Sequence, residues 1–365
     1  MTLAVLREAL DAGHRVTLVQ KDDGEPPLSF FAGGKHRDAL LSAERYGEEL
    51  LRLLESYDEP PVLLPCGAET LRLVAERREE FRAVCRMLCP EPETLALCND
   101  KGRIRAEAQR AGLSVPEELR RGDGETVEAL AARVPYPCVL KYVCGEALGL
   151  EAAERYRIVR DRETFLERYP AFEARGETLV QRYVEGDGFG VSLLMLPGGG
   201  VGSFVCHRRI RERVPTGGPS TCCESVFLPE QVTKARELLR GVGFVGPAMV
   251  EFKGEIFLEV NPRVWGTYPL TRAAGSGFTE AWIKAAAGEG MPIPLSKPRY
   301  QLGVTMRYLV SDLLGAARYL RAGDRRGWRA LGDLFRRKVK DGVFEKGDPV
   351  NKFYLRSLLE RRKKA

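Results

Sequence analysis

The sequence predicts a protein with α/β and α+β parts, in which a doubly wound α/β domain precedes two α+β lobes. Its 365 residues suffice for two or three domains with cores of their own. Helices alternate with short apolar strands near the N-terminus, which is typical of a parallel sheet. A strand-rich region and further helices follow. We expect an α/β domain over 1–95, a linker helix and small lobe over 96–180, a large lobe over 181–292 and a helical extension over 293–365.

The first domain is expected to open on a helix. Leu3, Leu6 and Leu10 recur at helical spacing, Gly13 follows as a stop signal, and residues 16–19 form a short apolar strand. Doubly wound domains usually begin with a strand, so the pattern predicts that this domain lacks its first strand. The remaining pattern predicts a strand at 62–64 and helices over 44–55 and 68–80.

The pattern changes after Pro90 and Pro92, where a linker helix over 99–111 is expected to enter the small lobe. That lobe is predicted to hold helices near 126–133 and 161–169 and strands at 138–144 and 178–183. In the large lobe we expect helices near 229–240 and 278–287 and strands at 190–196, 201–209, 248–252 and 255–260. Helices near 311–321 and 352–362 are predicted for the extension.

Composition excludes several classes of protein. The chain has 57 lysines and arginines against 51 aspartates and glutamates, without the concentrated basic stripe of nucleic-acid binders. Nine cysteines without a CxxC pair and three histidines without ligand-like spacing predict neither a zinc site nor a disulfide framework, and hence a cytoplasmic protein. Residues 188–207 carry no formal charge, but their Leu-Pro-Gly-Gly-Gly centre favours two strands and a turn over a membrane span.

The most informative segment is a predicted hairpin over residues 248–263. Strand alternation places two carboxylates and an amide on one face, namely Glu251, Glu259 and Asn261. If Phe252 pairs with Ile256, Glu251 lies diagonal to Glu259, about 7 to 8 Å away at Cα. Such hard oxygen ligands suit Mg²⁺, with Mn²⁺ as an alternative. A solvated outer face of the sheet is the competing interpretation, and Arg263, placed to clamp an anion beside the metal, favours the functional one.

Two lysines upstream are candidates for phosphate binding. Lys141 lies inside an apolar strand, where an ammonium group is costly unless it meets an anion or reaches water. Lys101 lies at a predicted helix start, where a solvated side chain is the alternative. Residues 179–191 are typical of a strand that leaves the small lobe and crosses by a glycine-rich hinge into the large one. Clefts between lobes are preferred ligand sites.

In their order along the chain, these elements resemble the ATP-grasp superfamily, and in particular its carboxylate-amine ligase branch, which is similar to carbamoyl phosphate synthase and biotin carboxylase. The resemblance covers roughly residues 60–290. It implies that two lobes grip ATP. It places Lys101 and Lys141 on the phosphates, and it places Glu251, Glu259 and Asn261 on Mg²⁺. The adenine edge is assigned to Gln181, Tyr183 and Val184.

Residues 207–221 resemble the segment that carries basic side chains into the active site of several relatives. The resemblance implies that Arg209 contacts the acyl phosphate or the substrate carboxylate, with Arg211 as second choice, and that His207 lies near the nucleotide. An anion-cradling lid is expected from Gly217, Gly218 and Ser220. A basic surface strand followed by a plain loop is the alternative for Arg208 and Arg213.

Two positions depart from the family pattern. A glycine run that closes over the phosphates in many relatives is replaced by the sequence Cys-Gly-Glu-Ala-Leu-Gly at 144–149. The acid that often binds the ribose falls at Gly188, so Asp187 or Glu185 is expected to take its place.

The function that the resemblance implies is an ATP-dependent ligase. A substrate carboxylate would attack the γ-phosphate of Mg-ATP to give an acyl phosphate, and an amine would then displace phosphate to form an amide. The expected catalytic residues are Arg263, Arg209 and Arg211, and the expected partners are a small carboxylate and a small amine, without nucleic acid or membrane. A homodimer is an open alternative to a monomer. An ATP-binding module with weak or no catalysis is the alternative function, and a basic nucleic-acid protein is a third.

Overall fold

The computed structural model describes residues 1–22, 36–143, 148–150, 154–215, 217–336 and 338–345. The N-terminal part opens on a helix, as predicted, followed by two short parallel strand pairs, β1 with β2 and β3 with β4. Its elements are α1 (Thr2–Asp11), β1 (Thr17–Asp22), β2 (Arg37–Ser42), α2 (Tyr46–Glu55), β3 (Val62–Leu63), α3 (Ala68–Glu76), α4 (Arg78–Val84) and β4 (Arg86–Met87). The single helix predicted over 68–80 is therefore two helices.

A core of apolar side chains holds helices α2, α3 and α4 together. It is formed mainly by Leu50, Leu54, Val74 and Phe81, all of which are buried. Burial of each such side chain stabilises the fold by about 1.5 to 3 kcal/mol. The apolar spacing that predicts the helices is thus the spacing that builds this core.

The small lobe follows helices α5 (Pro92–Asn99) and α6 (Lys101–Arg110). Asp100 caps α6, because its carboxylate accepts hydrogen bonds from the backbone N–H groups of Gly102 and Arg103, each at 2.9 Å. The lobe itself contains β5 (Glu118–Leu119), α7 (Val127–Arg133), β6 (Cys138–Tyr142), β7 (Tyr156–Val159), α8 (Arg162–Glu173) and β8 (Thr178–Arg182). Its antiparallel sheet has the order β5-β8-β6-β7.

The large lobe is built on a seven-stranded sheet with the order β13-β12-β9-β10-β11-β14-β15. Its elements are β9 (Gly188–Met195), β10 (Val201–Val214), β11 (Gly217–Val226), α9 (Pro229–Gly241), β12 (Gly246–Lys253), β13 (Ile256–Asn261), α10 (Pro269–Ala273), α11 (Phe278–Ala286) and β14 (Thr305–Arg307). The uncharged stretch 188–207 forms β9 and the start of β10, which confirms two strands and a turn. The described residues include no helix that combines the length and apolar character needed to cross a bilayer.

The residues predicted to form a lid, Gly217, Gly218 and Ser220, belong to strand β11, and Gly218 and Ser220 line the candidate cavity. Ser220 pairs with Glu212 of β10, and its hydroxyl donates a hydrogen bond to the carbonyl of Cys222 at 3.1 Å. The segment is thus held in extended pairing with β10, and its role as a lid stays a prediction.

The C-terminal part packs on the middle of this sheet. Its elements are α12 (Leu309–Arg321), α13 (Arg326–Gly332) and β15 (Lys340–Asp341). Helix α12 contacts both β10 and β11. The helix predicted over 352–362 lies outside the described residues.

Candidate active site

Two glutamates from adjacent strands form the centre of the candidate site. Glu251 of β12 lies directly opposite Glu259 of β13, whereas Phe252 pairs with Phe257. The extra residue between these two pairs is Leu258, so β13 has a bulge there. The predicted register, with Phe252 opposite Ile256, is therefore wrong. The bulge moves Phe257 to the core face and sets the two carboxylates face to face instead of diagonally.

The electrostatic surroundings shift the pKa values of the two carboxylates in opposite directions. Burial raises the pKa of Glu251. Burial acts in the same direction on Glu259, but the charges of Lys101, Lys141 and Arg209 outweigh it and lower the pKa of Glu259. Two acids with opposite shifts are typical of a functional site.

Arg209 of β10 reaches across β9 and contacts the acid pair. Its Nη2 lies 2.5 Å from Oε2 of Glu251, and its Nη1 lies 3.3 Å from Oε1 of Glu212. Burial disfavours the guanidinium charge, but the carboxylates of Glu251 and Glu212 outweigh burial and raise the pKa of Arg209. Arg209 is therefore a permanent cation beside the acid pair.

Two glycines on β9 make room for side chains that cross from β10 towards β12. A β-carbon at Gly190 would overlap the imidazole of His207, and one at Gly188 would lie 3.0 Å from Cδ of Arg209. His207 is buried, and burial, with a smaller contribution from Arg209, lowers its pKa to about 3. Its imidazole is therefore neutral at neutral pH.

The two candidate lysines approach the same acids from the small-lobe side. Nζ of Lys101, at the start of α6, lies 3.4 Å from Oε2 of Glu259. Lys141 on β6 is buried, and burial, together with the charge of Lys101, lowers its pKa to about 8. Two ammonium groups beside two carboxylates can take up an anion, such as a phosphate, together with a cation.

Contacts that the sequence does not predict hold the end of β8 and the hinge that follows it. Gln181 donates from Nε2 to Oε1 of Glu118 at 2.8 Å. Nζ of Lys253 donates to the carbonyl of Val184 at 2.9 Å and lies 4.5 Å from the ring centroid of Tyr183. Lys253 follows Glu251 by two positions on β12, and this strand period was the signal that could have identified it.

The structure places Arg211 and Asp187 outside the lining of the candidate cavity. Arg211 is only 1% exposed, and it binds both carboxylate oxygens of Asp312, at 2.8 and 2.7 Å, and Asp333 at 2.8 Å. The strand register shifts between Arg209 and Arg211, so the period of two that would place both on one face is broken. The Asp187 side chain is 64% exposed and faces Arg208 at 3.9 Å. Neither Arg211 nor Asp187 is among the residues that line the candidate cavity.

The remaining candidate residues surround one cavity of about 840 Å³ between the two lobes. That volume falls within the range of roughly 300 to 1,000 Å³ that small-molecule sites occupy. The predicted residues that line it are Lys101, Lys141, Gln181, Tyr183, Val184, His207, Arg209, Glu251, Glu259, Asn261 and Arg263. Helix α12, for which the sequence predicts no role in the site, also contributes to the lining.

The oxygen donors at the acid pair fit a small hard cation. The amide of Asn261 donates from Nδ2 to Oε1 of Glu251 at 3.0 Å, so two carboxylates and one amide converge there. No group of three or more His, Cys, Asp or Glu side chains within the described ranges is placed to hold a metal ion. Few protein ligands, all of them oxygen, are typical of Mg²⁺ sites that keep several waters.

Comparison with known sequences finds distant relatives. No family model matches the chain. It is 26% identical over 284 residues to an uncharacterized protein, y4rH, of Sinorhizobium fredii, and 27% identical over 251 residues to the carbamoyl phosphate synthase large chain of Kocuria rhizophila. These alignments cover 69% and 64% of this chain. The chain spans 56% of the first relative and 21% of the second.

Solved structures resemble the chain more extensively. The biotin carboxylase domain dimer of the Hydrogenobacter thermophilus 2-oxoglutarate carboxylase, in complex with MgADP, ADP and bicarbonate, has a TM-score of 0.64 and 16% identity. A biotin carboxylase from Campylobacter jejuni, in complex with β,γ-ATP, has a TM-score of 0.64 and 19% identity. Each match covers 83% of this chain and 71% of the other. The chain has the ATP-grasp fold, in the form that biotin carboxylase domains share.

Proposed function

We propose that this protein is an ATP-dependent ligase that activates a carboxylate as an acyl phosphate and joins it to an amine. The observation that carries the proposal is the single cavity in which Lys101, Lys141, Arg209 and Arg263 surround the paired acids Glu251 and Glu259. Cations placed around a metal-binding acid pair suit a reaction that moves a phosphoryl group. The biotin carboxylase neighbours, described with MgADP and with β,γ-ATP, support ATP as the nucleotide.

Mg²⁺ would be held by Glu251 and Glu259, with Asn261 as a third ligand. When bound, it would neutralise charge that develops on the phosphate oxygens. The protein's own contribution is the arrangement of cations around the anionic groups. Arg209 and Lys101 are held in place by the acids before a substrate arrives, so little reorganisation is needed during the reaction.

The proposed chemistry has two steps. In the first, a carboxylate oxygen attacks the γ-phosphorus, the bond from that phosphorus to its bridging oxygen breaks, and ADP leaves with the electron pair. In the second, the amine nitrogen attacks the acyl carbon, the bond from carbon to the phosphate oxygen breaks, and phosphate leaves while the nitrogen loses a proton to solvent. Lys101, Lys141, Arg209 and Arg263 would stabilise the anionic groups in both steps.

The proposal is tested by measuring ADP and phosphate release with Mg-ATP across a panel of carboxylates, each with and without amines. Glu251→Gln and Glu259→Gln are expected to lower release on the order of 10²-fold or more, because either change removes a metal ligand. Glu255→Gln is the matched control, since Glu255 lies in the exposed turn of the same hairpin. Its release should equal that of the unmodified protein.

Two further measurements test the alternative function and the oligomeric state. Binding of Mg-ATP without turnover for any pair of substrates would favour a nucleotide-binding module over a ligase. A homodimer is proposed as well, because the Hydrogenobacter neighbour is described as a domain dimer. Light scattering of the full chain would report a mass of about twice 40.7 kDa if that proposal holds.

A further inference from the structure

The cavity extends well beyond the acid pair, along the sheet to helix α12. The strand order places β11 four strands from β13. At about 4.8 Å per strand, β10 and β11, on which α12 packs, lie roughly 10 to 14 Å from the strand of Glu251 and roughly 14 to 19 Å from that of Glu259. That distance leaves room for a second molecule beside a nucleotide held at the hinge and the lysines.

Helix α12 is fixed in position as a wall of this distal part. The phenol oxygen of Tyr319 accepts a hydrogen bond from the backbone N–H of Glu212 at 2.9 Å. Arg318 donates to the carbonyl of Arg213 at 3.1 Å, and the buried pair between Arg211 and Asp312 anchors the first turn of the helix. A wall held by three such contacts can define the shape of a substrate.

The distal lining combines apolar surface with positive charge. Its apolar and aromatic members are Tyr308, Val310 and Leu314, and its cations are Arg213 and Arg318. Among the described lining residues, the carboxylates are those of Glu251 and Glu259, at the opposite end. The distal part is therefore suited to an anion with an apolar body and poorly suited to an ammonium group.

We infer that the acid substrate is a carboxylate with a sizeable apolar or aromatic body, which packs against α12 at Leu314. This inference rests on the proposed function and names its acid substrate class. The carboxylate would point towards Arg209 and Arg263, and the body would lie between Tyr308 and the exposed face of α12. Small or strongly polar acids would leave this apolar surface uncovered and bind more weakly.

Calorimetry with 3-phenylpropionate, in the presence of Mg²⁺ and a non-hydrolysable ATP analogue, tests the inference without requiring turnover. Acetate is expected to bind about tenfold or more weakly, because it cannot cover the apolar wall. 3-Phenylpropylamine, which keeps the body but carries an ammonium group, should not bind measurably. Equal affinity for acetate and 3-phenylpropionate, or binding of neither, would overturn the inference.

The site is located by comparing Leu314→Asp with Leu302→Asp. Both leucines are exposed, at 46% and 54%, and Leu302 does not line the cavity. Leu314→Asp should weaken 3-phenylpropionate about tenfold or more while the affinity for the nucleotide analogue stays unchanged, which also reports a folded protein. Leu302→Asp should change neither. Equal effects of both substitutions would contradict a wall at α12.

ADP release distinguishes a failure of this inference from a failure of the proposed function. Acid-dependent release that is equally efficient for acetate and 3-phenylpropionate would leave the ligase standing and remove the substrate class. Tight, Leu314-dependent binding of 3-phenylpropionate without ADP release would keep the ligand class and remove the ligase.

Discussion

Nη2 of Arg209 lies 2.5 Å from Oε2 of Glu251, although strand β9 separates the strands that carry them. The contact is possible because Gly188 and Gly190 present no side chains on the intervening strand. The sheet thus brings together one cation and one acid that are 42 positions apart in the sequence. It can do so because β9 has glycines between them.

Arg209→Ala is expected to lower ADP release on the order of 10²-fold, because it removes a fixed cation beside the acid pair. Arg208→Ala is the matched control, since Arg208 is the preceding residue but is exposed and pairs with Glu224. Steady-state kinetics of both variants checks this prediction. Equal losses would show that Arg209 has no special role.

Gly190→Ala is expected to displace the His207 ring, because the new β-carbon would overlap it. Misplacement of groups in the cavity should lower ADP release by roughly 10²-fold. Gly241→Ala, at the end of α9 with open space around it, should leave release unchanged. A fully active Gly190→Ala enzyme would exclude a packing constraint at β9.

Binding of Mg-ATP is expected to weaken as the pH rises through about 8, the pKa to which burial lowers that of Lys141. The charged form, which attracts phosphate, is present below that pH and lost above it, so the dissociation constant should rise by at most about tenfold per pH unit. Calorimetry between pH 7 and about 9.5 measures this trend.

Two lysine-to-arginine variants show whether Lys141 causes the trend. Lys141→Arg should flatten the pH dependence, because arginine stays charged throughout this range. Lys297→Arg, at an exposed position outside the cavity, should keep it. An unchanged slope in Lys141→Arg would assign the titration to another group.

Asp312→Ala is expected to lower the free energy of unfolding by about 3 to 5 kcal/mol, because it leaves Arg211 buried with one of its two acidic partners removed. Glu79→Ala removes the exposed pair with Arg82 and should cost about 0 to 1 kcal/mol. Urea-induced unfolding compares the two. A small effect of Asp312→Ala would show that Arg211 is not held mainly by this pair.

Local patterns were sufficient to predict much of the fold and the composition of the candidate site. Helical spacing of leucines predicts α1, and the uncharged stretch around the glycines at 198–200 predicts β9 and β10. Two acids on a hairpin face, followed by an arginine, predict the acid pair. These features depend on side-chain period and turn chemistry, which are properties of neighbouring residues.

The sequence by itself determined which residues can carry the chemistry, and tertiary structure decided which of them meet. The bulge at Leu258 makes Glu251 face Glu259 directly, and the shift after Arg209 sends Arg211 to Asp312. Lys253 at the hinge and α12 as a cavity wall likewise depend on long-range packing. A one-residue change in register reverses the face of every following side chain, and the contacts that select the register come from distant parts of the chain.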